Sequence, residues 1–90
     1  MPRYLIERTF HAGWAGGGID CRAIADRNTA DGVTWLHSYV TPDRTRTFCI
    51  YDAPSPEAIR HAARANDLPV DRITEVRVLD PHGLPLHSHD

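Results

Sequence analysis

The chain has no lysine. Arginine supplies all of its 10 basic residues, set against 12 acidic ones, for a formal net charge of −2. Without a basic excess it has no electrostatic footprint for nucleic acid or an acidic membrane, and neither is expected as a partner. Two cysteines in 90 residues make no disulfide framework. No stretch approaches the roughly 20 apolar residues of a membrane span. The opening MPRYLIER reads as a strand without a long apolar run, so no secretory leader is expected, and a cytoplasmic protein with reduced thiols follows. The glycines of residues 11–18 lack dinucleotide-site spacing, and there is no P-loop. What remains is ordinary for a folded protein: 41% hydrophobic and 24% charged residues. The length suits one domain with a small core, a size that often gains stability by pairing.

The richest stretch is Trp35 to Tyr51. Val, Ile, Thr, Trp, Tyr and Phe dominate it and suit a pleated, half-buried surface. Thr41-Pro42-Asp43-Arg44 interrupts it with turn residues, so it reads as a hairpin. The register that best sorts apolar from amphipathic residues sets Trp35 opposite Tyr51, His37 opposite Cys49 and Tyr39 opposite Thr47. Leu36, Val40, Phe48 and Ile50 then share one face. A slip of one residue would reverse these facings.

Strands are also expected over Arg3 to Thr9 and Arg72 to Leu79, with Pro81 closing the last. A helix is expected over Ile19 to Asp31, capped by Asp20 and ended by Gly32. A second follows Ser55 as N-cap and Pro56 as first helical residue, with Ala58, Ile59, Ala62 and Ala63 inward. Cys21 is expected as a small buried group on the first helix. The order strand, helix, strand, strand, helix, strand predicts a ferredoxin-like βαββαβ α+β domain over residues 1–81. Its four-stranded antiparallel sheet carries both helices on one face. Residues 82–90 read as a flexible histidine-containing tail.

Tyr4, Ile6, Val76 and Val78 are assigned to the helix side. The open face would carry Leu5, Glu7, Trp35, His37, Tyr39, Cys49, Tyr51, Ile73, Glu75, Arg77 and Leu79. It is too apolar to stay wet, so a second copy is expected to cover it, giving a dimeric α/β barrel.

On that face His37 and Cys49 offer imidazole and thiolate, which suit nickel, zinc or copper, and Glu7 or Glu75 can complete the set. These ligands come from separate strands with no compact spacing motif; a buried cysteine beside a hydrogen-bonded histidine is the plain structural reading. Arg77 among the carboxylates reads as an ion pair. His82, His87 and His89 form a second metal candidate in the tail, His61 reads as a solvated partner of Glu57, and Trp14 as a packing anchor in the loop.

Five segments carry a resemblance: PRYLIER (2–8), CRAIADRN (21–28), DGVTWLHSYV (31–40), TFCIYDAPSPEAI (47–59) and LPVDRITEVRVLDP (68–81). Together they resemble a small, widespread bacterial family of largely unknown function with a ferredoxin-like fold, one branch of which is a dimeric nickel-binding protein. The resemblance implies functional weight for Trp35, His37 and Cys49, with Glu7 as the first-strand glutamate. The short glycine-rich loop and the HGLPLHSHD close (82–90) depart from its pattern. The expectation is a homodimeric, non-enzymatic protein binding nickel or another divalent transition metal for storage, buffering or sensing. One alternative is a cofactor-free oxygenase or cyclase holding a small molecule between walls of Trp35, Tyr39 and Tyr51, with His37 as acid or base. Another is a partner-binding module without ligand.

Overall fold

A computed structural model describes residues 1–11 and 21–82, with only the backbone of Cys21. Trp14, the expected helix start at Ile19 and Asp20, the Cys21 side chain, His87 and His89 lie outside the described residues.

The elements are β1 (Arg3–Thr9), α1 (Cys21–Ala30), β2 (Thr34–Val40), β3 (Arg46–Asp52), α2 (Pro56–Ala65) and β4 (Arg72–Val76). The strands form one antiparallel sheet in the order β2-β3-β1-β4, the ferredoxin-like arrangement. Local signals explain most of it. The Ser55 side chain accepts the Ala58 amide at 3.3 Å, Pro56 opens α2, and Ile59, Ala62 and Ala63 are buried along one stripe. Gly32, at φ 74°, ends α1 in the left-handed region that only glycine enters without penalty. Asp43 organises the β2–β3 turn: its carboxylate accepts the Thr45 amide at 3.0 Å and the Thr41 and Thr45 hydroxyls at 2.7 and 2.8 Å.

The core lies between the sheet and the helices. Tyr4 and Ile6 from β1, Cys49 and Tyr51 from β3, Val33, Ala53, and Ile59 and Ala62 from α2 form one buried cluster. Ile6 and Ile59 are fully buried, each worth about 1.5–3 kcal/mol of apolar transfer. α1 adds Ile24 and Asn28, and Asn66 at the end of α2 donates to the Asn28 side chain at 3.1 Å. His61 of α2 meets Asp31 at 2.8 Å rather than Glu57, because the end of α1 comes closer than the helix's own preceding turn.

The expected hairpin register holds only at its start. Trp35 pairs with Tyr51, but Leu36 is an extra residue, and His37 then pairs with Ile50, Ser38 with Cys49 and Tyr39 with Phe48. This β-bulge sends Trp35 and His37, two residues apart, to opposite faces of the sheet. β3 follows its other neighbour: Tyr4 pairs with Tyr51 and Ile6 with Cys49. Cys49, Tyr51 and Trp35 are therefore on the helix side, while Phe48 and Ile50 are on the open side. β4 is likewise reversed, because Ile73 pairs with Ile6 and Val76 with Arg3. Sorting the hairpin by polarity alone ignored the pull of the central strand β1.

Candidate functional site

The open face is built from alternate residues: Leu5 and Glu7 of β1, Phe48 and Ile50 of β3, Val76 of β4, and, past the bulge, His37 and Tyr39 of β2. β2 is an edge strand, and Leu36 to Val40 are all exposed. His37 stands edge-on to Tyr39 with ring centroids 5.4 Å apart, which orients the imidazole and leaves it open to solvent. Glu7 shares the face and holds Arg46 at 3.3 Å, while the Arg46 guanidinium lies 5.0 Å over the Phe48 ring. Such an exposed ion pair is worth about 1 kcal/mol or less, so the carboxylate can be drawn to another cation.

Cys49 is in a different environment. It is 5% exposed, and its sulfur accepts a hydrogen bond from the Arg8 guanidinium at 3.1 Å. Arg8 is 2% exposed and lies 5.6 Å over the Tyr51 ring; among the described residues it has no carboxylate partner and its Nε is without an acceptor. A buried guanidinium keeps its charge, so any metal ion approaching this sulfur would meet a fixed positive charge. Burial raises the Tyr51 phenol above the usual tyrosine range, and the Arg8 charge opposes that rise. Trp35 meets Tyr51 edge-on at 6.4 Å and donates its indole N–H to Ser38 at 2.7 Å.

The four expected ligands are thus divided. His37 and Glu7 are on the open face; Cys49 and Glu75 are on the helix side, Glu75 opposite Tyr4. Among the described residues no three of His, Cys, Asp and Glu gather closely enough to hold a metal within one chain. Of the expected pocket walls only Tyr39 is on the open face. Arg77 lies beyond the end of β4, and His82 is exposed in a turn. Arg8 was missed by sequence reasoning, although its position two residues after Ile6 and four after Tyr4 marks the same buried face.

Fold and face together define a ferredoxin-like α+β protein whose sheet face away from the helices carries a histidine at its edge. A family model described as "Nickel responsive protein SCO4226-like" matches residues 4–76, and the chain belongs to that family. The crystal structure of SCO4226 from Streptomyces coelicolor A3(2) is similar over 87% of this chain and 99% of that one, with a TM-score of 0.66 and 16% identity. At that identity the likeness shows the fold. No curated protein matches the chain.

Proposed function

We propose that this protein is a nickel-responsive binding protein acting without turnover, in which His37 is the anchoring ligand and two copies complete the site. The carrying observation is the bulge that presents the His37 imidazole on the open face, beside exposed Tyr39 and on the same side as Glu7. The family's description supports nickel as the first metal to test. Imidazole suits nickel, zinc and copper alike. One chain lacks three gathered donors among the described residues, whereas a two-fold pairing of open faces would supply each donor twice. It would also cover Tyr39, which is 62% exposed, together with Leu5, Phe48 and Ile50. Cys49 is left to its guanidinium partner in this reading. No helix among the described residues is long and apolar enough to cross a membrane; a cytoplasmic place of action belongs to the same proposal.

The test is calorimetric titration of the reduced, untagged protein with nickel and with zinc, alongside its oligomeric state by light scattering. Nickel binding at one or two ions per dimer, abolished by His37→Ala and kept by Cys49→Ser, is the expected result. Binding that survives His37→Ala but not Cys49→Ser would transfer the site to the buried sulfur. No binding of either metal would end the metal reading.

A further inference from the structure

A cleft of about 270 Å³ opens between the second half of α2, the segment after it and the start of β4, away from His37. Its floor is apolar, formed by Ala63, Val70 and Ile73, and its rim carries Arg60 and Arg64 of α2; Arg72 also lines it, but as the register partner of Glu7 it starts on the open side of the sheet. None of the three guanidinium groups makes a hydrogen bond or ion pair among the described residues. Arg60 and Arg64 are four residues apart on one helix face, an arrangement of like charges that costs helix stability. Asp71, the one acid at the cleft, has its carboxylate engaged by the Thr9 hydroxyl. Among the described residues, Arg60 and Arg64 thus stand at the cleft with one acid that is already engaged, on a chain whose net charge is −2.

From these groups we infer that the cleft binds a small phosphate monoester, its phosphate on the arginine rim and its apolar ester group on the Ala63–Val70–Ile73 floor. The planar guanidinium fork matches phosphate oxygens two at a time, and a dianion can engage more than one fork. A cleft of about 270 Å³ has room for a single-ring ester. Arg64 in the last turn of α2 also offsets the helix dipole, but that role requires neither Arg60 nor Arg72.

The experiment is an amide NMR titration of the full chain with phenyl phosphate, inorganic phosphate and benzoate as probes. Phenyl phosphate should shift amides within residues 60–73 and bind with a Kd of about 1 mM or better, a range such titrations read directly. The double variant Arg60→Gln/Arg64→Gln should weaken it by about tenfold or more, the effect of losing a charge-assisted hydrogen bond, and Arg72→Gln should weaken it less. Arg44→Gln, in the β2–β3 turn, should leave it unchanged. Gln is a good helix former, so the α2 variants retain the fold, and an unchanged amide spectrum outside the cleft confirms it. Absence of binding, shifts centred elsewhere, or equal loss with Arg44→Gln would overturn the site. Inorganic phosphate binding as tightly as phenyl phosphate would remove the role of the apolar floor, and benzoate doing so would replace phosphate by carboxylate; either result overturns the ligand assignment. His37→Ala should not change any of these readings, so failure here is separate from failure of the metal site.

Discussion

β2 and β3 are the two seven-residue arms of one hairpin, yet they obey different constraints. β3 lies between two strands and under the helices. Its Thr47, Cys49 and Tyr51 are buried, and its facing is set by Tyr4 and Ile6 across the ladder with β1. β2 has one neighbour, leaves Leu36 to Val40 exposed, and absorbs an extra residue without disturbing the core. A strand held on both sides cannot slip without moving its whole buried set. An edge strand can, and bulges are frequent at edges and beside functional sites. The bulge keeps Trp35 packed against the core while presenting His37 on the other face, so one short strand serves packing and offers the residue on which the proposed site rests.

The largest effect separating the two arms should come from truncating β3's buried partner. Ile6 is fully buried beside Cys49, and Ile6→Ala should cost about 2–5 kcal/mol of unfolding free energy in urea. Leu36→Ala, at the 38% exposed bulge, should cost about 0.5 kcal/mol or less. Similar losses from both would mean that the edge arm is held as firmly as the central one, and the division drawn here would fail.

A smaller effect concerns the buried cation on the β3 side. Arg8→Met fills a similar volume and removes a charge that has no carboxylate partner among the described residues. Replacing buried charge by apolar volume is often neutral or stabilising, so the change should lie between zero and about 2 kcal/mol in favour of folding. The same variant should raise the Tyr51 phenol further, because the Arg8 charge is what opposes the effect of burial. The sign for stability follows. A phenol whose folded pKa exceeds its unfolded value near 10 contributes stability that is complete below about pH 10. That contribution is lost as pH rises toward the folded value, because the unfolded chain releases the proton first. Phenolate absorbance and urea midpoints between pH 9 and 12 should show a wider gap in Arg8→Met than in the parent protein. A phenol that titrates lower in the variant would mean that Arg8 is not the cation facing Tyr51.

How much of this was legible in the sequence depended on how local each signal was. The alternation of Arg3–Thr9, the Ser55–Pro56 start and the Gly32 stop are written within a few residues, and the structure shows each of them. The register of β3 is not local, since it is fixed by Ile6 and Tyr4 more than 40 residues away and released at Leu36 by the edge. β4 stops at Val76 although Val78 and Leu79 suit a strand. Val76 pairs with Arg3, and the next partner in line would be Pro2, which has no amide hydrogen to donate. The sequence reading puts His37 on the open face, but through a register that pairs it with Cys49; the bulge at Leu36 pairs it with Ile50 instead, and that bulge has no local signal.

The smallest effect tests whether the hairpin turn, rather than the bulge, holds β2 to β3. The amide and hydroxyl of Thr45 and the hydroxyl of Thr41 all donate to the Asp43 carboxylate, and these bonds, the Thr45 amide first, hold its pKa below the ordinary aspartate range. With the folded value depressed, the carboxylate supports the turn above its unfolded pKa near 3.9 and loses that support as pH falls through the folded value. Amide NMR should therefore show the Thr45 resonance moving at a pH below the ordinary aspartate range, with the His37 and Tyr39 resonances following because β2 is tied to its partner through this loop. Asp43→Ala should bring the same displaced positions at neutral pH and remove the acid transition. If Thr45 titrates but His37 and Tyr39 stay fixed, the arm's position is set by the Trp35–Tyr51 end and the bulge, and the turn is only a local closure.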